Sequence, residues 1–232
     1  MRSFEISFPS TVSEAVTFLG REGARPIAGG TDLLCHMRAG LLAPACLVDL
    51  SGLSLSYVRQ HDGLVQIGAM TPCSDLVGSP LVRKQLPDLA EAAAQIGGVQ
   101  TRNMATLGGN LCSAVPSADS APPLLVHEAH VRIAGPQGER LLPLDRLFVG
   151  PRKTALQAGE FVVEIQVPVP QPRTGAAFFK LGRRRALTLA IVNAAARLSL
   201  GSDGETVESV CIAVGAVAPI PLRARQAESL LF

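Results

Sequence analysis

The sequence predicts an α+β chain, with two α/β layers first and an antiparallel sheet last. Three observations carry that prediction. Helix caps and strand patterns alternate from Thr11 to Val167. A proline cluster, Pro168, Pro170 and Pro172, then interrupts the chain and is its best linker candidate. Beyond it lie three apolar strand patterns, 176–181, 189–200 and 207–217.

The elements follow in order. Thr11-Val12-Ser13-Glu14 is a capping box opening a helix to about Arg21, with Ala15, Val16 and Leu19 on its apolar face and Gly23 as its stop. Arg25 to Ala28 reads as a strand running into the turn Gly29-Gly30, with a helix starting at Asp32. Leu47 to Leu50 is a buried strand. Tyr57–Arg59 and Leu64–Gly68 flank His61-Asp62-Gly63, a hairpin signal. Leu81 to Ile96 reads as one helix ended by Gly97-Gly98. Residues 99–120 read as loop around a second Gly-Gly turn, Gly108-Gly109. Pro122-Pro123 opens a helix to about Glu128, and His127 to His130 reads as the end of a surface helix rather than a metal site. A hairpin over 131–142 and a strand from Phe161 to Val167 lead to the prolines. The last two strands are joined by Gly201-Ser202-Asp203-Gly204, and a final helix begins near Leu222.

Composition excludes several function classes. The chain has 232 residues, 47% of them hydrophobic and 17% charged, which is a globular balance. The net charge is only +2, and the single dense basic run, Arg183-Arg184-Arg185, reads as a solvated face, so nucleic acid is not an expected partner. Five cysteines without CxxC spacing argue against a disulfide framework or a zinc or iron–sulfur site, and fit reduced thiols in a cytoplasm. No apolar run is long enough to span a bilayer. There is no GxGxxG, no Walker loop and no GxSxG elbow around Ser113, Ser117 or Ser120. Tyr57 is the only tyrosine, which nearly excludes a tyrosine acid or base.

What remains is the pair of glycine loops. Ala28-Gly29-Gly30-Thr31-Asp32 and Thr106-Leu107-Gly108-Gly109-Asn110 each put two glycines beside a hydroxyl and an amide or carboxyl side chain. Paired glycines let backbone N–H groups approach a pyrophosphate, and a following helix start adds favourable dipole. Each pair is also compatible with a plain tight turn. On the cofactor reading, Gly108, Gly109 and Asn110 add a second arc of N–H donors, with Thr106 and Asn110 as side-chain partners. Cys112 reads equally as a small buried residue or as a cofactor neighbour.

Taken together, the segments resemble a known family. Pro26-Ile27-Ala28-Gly29-Gly30-Thr31-Asp32-Leu33-Leu34, ending in Met37-Arg38, is similar to the first flavin loop of the FAD-binding medium subunits of molybdenum hydroxylases, the xanthine dehydrogenase and carbon monoxide dehydrogenase type. Thr101 to Asn110, followed by Ala114 to Asp119, resembles the second loop. Phe148 to Thr154, Phe161 to Pro168, Phe179 to Ala186 and Ala213 to Pro219 match in order, so the resemblance spans nearly the whole chain.

The resemblance implies a two-part FAD-binding domain of the vanillyl-alcohol-oxidase (PCMH) type over 1–172 and an incomplete antiparallel C-terminal domain over 173–232. It implies that Gly29, Gly30, Thr31 and Asp32 wrap the pyrophosphate and that Ala28 touches the flavin side. Thr106, Gly108, Gly109 and Asn110 would hold the phosphates and the flavin end, and Ser113 and Asp119 the ribose or adenosine part. Val162 would lie against the adenine and Lys180 near the isoalloxazine, where a cation favours the anionic reduced flavin. Molybdopterin and two [2Fe-2S] clusters would sit on partner subunits, a large and a small one, in a dimer of heterotrimers. NAD⁺, oxygen or a quinone would be the outside acceptor. Three features depart from many relatives: Phe178 in place of a tyrosine, Thr188-Leu189 in place of Asp-Ile, and an end short of a typical relative's. A stand-alone flavin oxidoreductase and a scaffold subunit without FAD stay open as alternatives.

Overall fold

The computed structural model describes residues 3–184 and 186–231. Arg185 of the basic run lies outside them; Arg183 and Arg184 are exposed.

The chain opens with β1 (Glu5–Ser7), α1 (Val12–Leu19), β2 (Ala24–Ile27), α2 (Leu33–Arg38) and β3 (Cys46–Asp49). The three strands form a parallel sheet in the order β1-β3-β2. Thr11 caps α1 by accepting the Glu14 N–H at 3.1 Å, but Glu14 reaches back to Ser10 N–H (2.8 Å) rather than to Thr11. The capping box is therefore shifted outward by one residue.

Next come β4 (Val58–His61) and β5 (Leu64–Gly68), whose Asp62-Gly63 turn has both φ values positive, as a tight hairpin needs. Six short helices follow: α3 (Cys73–Gly78), α4 (Pro80–Gln85), α5 (Pro87–Ala94), α6 (Val99–Met104), α7 (Leu107–Cys112) and α8 (Ala121–Val126). The single helix expected over 81–96 is broken between α4 and α5, because Pro87 removes an N–H and forces Leu86 out of helical geometry (φ −138°, ψ 58°). The expected loop over 99–120 contains two helical segments, and the second Gly-Gly pair lies inside the first turn of α7.

Strands β6 (His130–Gly135), β7 (Gly138–Pro143), β8 (Phe148–Gly150), β9 (Lys153–Thr154) and β10 (Phe161–Pro168) complete this half. The order β4-β5-β10-β6-β7 makes a five-stranded antiparallel sheet. Both of its faces are covered, and a register shift between Val162 and Glu164 turns Ile165 and Val167 to the face that Val162 lines. Phe161 and Val163 face α1 and the parallel sheet, whereas Val162, Ile165 and Val167 face the helices. Glu164 is left buried, taking the Tyr57 hydroxyl at 2.6 Å and Arg132 at 3.3 Å.

The chain ends in β11 (Thr174–Gly182), β12 (Ala190–Leu200), β13 (Val207–Gly215), β14 (Leu222–Arg223) and α9 (Arg225–Glu228). These four strands form an antiparallel sheet in chain order. Leu222 sits in β14 where a helix start was expected; α9 follows it. Phe178, Ala195, Cys211 and Ala213 on the sheet's inner face join the same core as α5 and α8. Every residue of α8 is buried, so its end is no surface helix. His127 there is 1% exposed and bonds Asp88 of α5 at 2.9 Å, a clasp between buried α8 and the buried face of α5. Among the described residues no helix is long and apolar enough to cross a membrane, and no three His, Cys, Asp or Glu cluster as metal ligands.

Candidate functional site

Between β2 and α2 the chain makes the loop Ala28–Asp32. Gly30 has φ +69°, a conformation that L side chains rarely adopt. Gly29 is required for another reason: a Cβ there would lie 1.7 Å from the Met104 carbonyl oxygen. The loop is thus seated on the end of α6. The consecutive N–H groups of Gly29, Gly30, Thr31 and Asp32 reach no acceptor among the described residues. Free N–H groups leading through a left-handed turn into a helix form a concavity of the kind that can take an anion. The Asp32 carboxylate does not cap α2; it accepts from Ser113 Oγ at 2.6 Å.

The second glycine pair behaves differently. Thr106 caps α7, its Oγ1 accepting the Gly109 N–H at 3.1 Å. Leu107 N–H donates to Thr71 O (3.0 Å), Gly108 N–H to Ala69 O (2.9 Å) and Asn110 N–H to Thr106 O (2.9 Å). The expected second arc of free backbone donors is therefore absent: the fold itself consumes them. Gly108 is fixed by packing, since a Cβ would lie 2.7 Å from Ala69 Cβ. A Cβ on Gly109 would meet only Thr106 Oγ1 at 3.0 Å and Ala28 Cβ at 4.0 Å, so Gly109 faces the first loop across a gap. Asn110 Oδ1 accepts from Ser120 Oγ at 2.6 Å, which leaves the side-chain amide nitrogen as its donor.

A third group lies where β11 and β12 meet the helices. Lys180 Nζ donates to Asp119 Oδ2 (2.5 Å) and to Gln95 O (3.0 Å), and Asn193 Nδ2 donates to Asp119 Oδ1 (2.9 Å). The Lys180 and Asp119 side chains are 3% and 8% exposed. Burial pushes the Asp119 carboxyl above its ordinary value, while Lys180 and Asn193 pull it back. Asp119, expected at the ribose or adenosine part, and Lys180, expected near the isoalloxazine, thus have their polar atoms in direct contact. Ser120 hydrogen-bonds Asn110, so the Lys180 group is connected to α7.

The remaining expected residues fall as follows. Ser113 ties α7 to the first loop. Val162 is 4% exposed and packed in the main core. Burial also pushes the Cys112 thiol up to about 12, so it stays protonated near neutrality. Phe178, on the same strand face as Lys180, is buried in apolar core. Thr188 works inside its own turn, donating to Leu189 O at 3.0 Å. Asn193 and Gln95 were missed. A lone asparagine within the apolar run Ile191 to Ala196 was the readable signal for the first; the second acts through its carbonyl, which no side-chain pattern discloses.

Residues 2–170 match the family described as the FAD binding domain in molybdopterin dehydrogenase, and residues 177–232 match the CO dehydrogenase flavoprotein C-terminal domain. The carbon monoxide dehydrogenase medium chain of Hydrogenophaga pseudoflava is 38% identical over 231 residues, covering 98% of this chain and 79% of that one. The xanthine dehydrogenase FAD-binding subunit of Escherichia coli O157:H7 is 34% identical over 224 residues, covering 94% and 76%. Among solved structures, carbon monoxide dehydrogenase of H. pseudoflava lacking the Mo-pyranopterin moiety superposes with a TM-score of 0.95 at 38% identity, covering 100% of this chain and 80% of that one. Quinoline 2-oxidoreductase of Pseudomonas putida 86 gives 0.92 at 31% identity, covering 99% and 80%.

Proposed function

The chain belongs to the family of FAD-binding domains of molybdopterin dehydrogenases, and from that premise we propose that it holds one FAD as the flavin relay of a multi-subunit molybdenum hydroxylase. The observation that carries this reading is the run of four unpaired N–H groups, Gly29 to Asp32, facing Gly109 across a gap. That surface fits a pyrophosphate: it offers donors without side chains in the way.

The residues divide the work. The N–H groups of Gly29, Gly30, Thr31 and Asp32 take the phosphate oxygens. Ala28 and Gly109 keep the gap between the loops narrow and apolar. The Asn110 amide nitrogen donates to the cofactor, while Ser113 holds the Asp32 carboxylate out of the phosphates' way. Lys180 presents its ammonium at the isoalloxazine end, with Asp119 and Asn193 fixing its position there. When bound, the flavin supplies the electron chemistry, and the protein supplies binding, orientation and charge. Electrons come from [2Fe-2S] clusters on a small subunit, after substrate oxidation at molybdopterin on a large one, and leave to NAD⁺, oxygen or a quinone. The complex is a dimer of such heterotrimers in the cytoplasm.

Three measurements test this. Purified protein is expected to show flavin absorption at about one FAD per chain; a colourless chain that takes up no FAD overturns the reading in favour of a scaffold subunit. Co-expressed with its partners, it is expected to copurify with molybdopterin- and iron–sulfur-bearing subunits. Bleaching of the isolated chain by a small alcohol substrate would identify a stand-alone oxidoreductase instead.

A further inference from the structure

Asp32 and Ser113 belong to a closed ring of contacts that extends to a third segment. From Asp32, α2 runs one turn to His36, whose N–H donates to Asp32 O at 3.0 Å. His36 Nε2 accepts from Arg152 Nη1 at 3.0 Å. The Arg152 N–H donates to Ala114 O at 2.8 Å, and Ala114 adjoins Ser113, whose Oγ returns to Asp32 at 2.6 Å. Arg152 lies in the β8–β9 turn, in the left-handed region at φ +57°, and Ala114 is there too at +45°.

The two formal charges in this ring, the Asp32 carboxylate and the Arg152 guanidinium, are not paired with each other. Arg152 is exposed, its one recorded side-chain partner is an imidazole nitrogen, and it makes no ion pair among the described residues. A guanidinium has five donors and suits phosphate, and a neutral imidazole uses only one of them. One turn of α2 before His36, the four unpaired N–H groups offer only partial charges, and the Asp32 carboxylate adds a full negative charge there. A pyrophosphate bound there needs a cation that the glycine loop does not contain.

We propose that Arg152, steadied by His36, is a further anion-binding residue of this site and supplies the formal positive charge for the cofactor's phosphates. The proposal rests on the reading that the loop Gly29–Asp32 holds FAD. His36 acts as a positioning residue, its Nε2 lying 3.0 Å from Arg152 Nη1.

The test is the dissociation constant for FAD of the FAD-stripped full-length chain, read by quenching of flavin fluorescence at low and at high salt. Arg152→Ala is expected to weaken FAD binding at least tenfold at low salt, with the deficit shrinking at high salt. Arg152→Lys should recover part of the loss, and His36→Ala should lose less than Arg152→Ala. Arg152→Gly keeps the left-handed backbone without the side chain and should match Arg152→Ala, which separates charge from folding. An Arg152→Gly chain that binds FAD within twofold of wild type overturns the proposal. So does a loss that ignores salt and that lysine does not rescue. A wild-type chain that binds no FAD overturns the parent reading, and this one with it.

Discussion

Four glycines that look alike in the two loops do three different jobs. Gly30 supplies a left-handed turn, Gly29 and Gly108 make room for neighbouring backbone or side chain, and Gly109 borders open space. Their variants should therefore separate. Gly29→Ala and Gly108→Ala force overlaps with Met104 O and Ala69; overpacking of this kind costs about 1–3 kcal/mol, or roughly 2–12 °C of melting temperature in a chain of this size. Gly109→Ala should melt close to wild type yet hold FAD more weakly, and Gly109→Asp should abolish FAD retention by setting a carboxylate against phosphate. Melting curves and FAD content of the purified variants check this; a Gly109→Asp protein with one FAD per chain refutes it. The two loops were readable because each glycine pair comes with a hydroxyl and an amide or carboxyl side chain, which Gly97-Gly98 at the end of a helix does not. Which N–H groups stay free was not readable, because the acceptors that consume the second set, Ala69 O and Thr71 O, are set by the fold.

Among the elements, hairpins and long strands were legible because their signals are local: the Asp62-Gly63 turn, and the apolar runs of β11 to β13. The α4–α5 break was legible in principle from Pro87, but the alanine-rich run after it reads as continuous helix. Pairings between elements were not legible. Lys180 on β11 meets Asp119 in a loop, and the pair closes the seam between sheet and helices. Lys180→Met strands a buried carboxylate, which costs about 3–5 kcal/mol near neutral pH. With the ammonium gone, burial holds the folded carboxyl pKa above its unfolded 3.8, so the folded state favours the proton. The deficit should thus grow as pH rises through that window and shrink toward pH 4, and Asp119→Asn added to Lys180→Met should remove most of it. Denaturant melts at both pH values check this; a pH-independent deficit contradicts it. Glu228 has the opposite sign. Arg223 holds its carboxyl below 4.5, and Glu228 also accepts the Ile212 N–H at 2.7 Å, fastening α9 to β13. That stability is present above the unfolded pKa and is lost as pH falls through the folded one. Glu228→Gln should cost about 1–3 kcal/mol at pH 7 and progressively less in acid, where the wild-type carboxylate protonates too. Hydrogen exchange of α9 reports it directly.

At the scale of the whole molecule, the prolines at 168–172 mark a change of sheet, yet one core runs beneath it, from Val65 and Ile67 through α5 and α8 to Ala195 and Ala213. Composition and strand pattern could announce an antiparallel end; they could not announce that its inner face completes a core begun by residues far away in the chain. A shared core predicts that the apo chain unfolds in a single transition. The proposed cofactor would touch the loop after β2, the start of α7 and Lys180 on β11, and so would join the parallel sheet, the helical layer and the last sheet. A ligand held by all three binds only the fully folded chain, and mass action then stabilises the whole: about 2.7 kcal/mol at a free concentration one hundred times Kd. At 2–4 °C per kcal/mol, FAD should raise the melting temperature by roughly 5–10 °C, with further gains growing as the logarithm of FAD concentration. Calorimetric scans across an FAD series measure this. One transition moving as a unit is expected. Two transitions, of which FAD moves only one, would mean that the cofactor is held by one part of the chain and that Lys180 has no share in its binding.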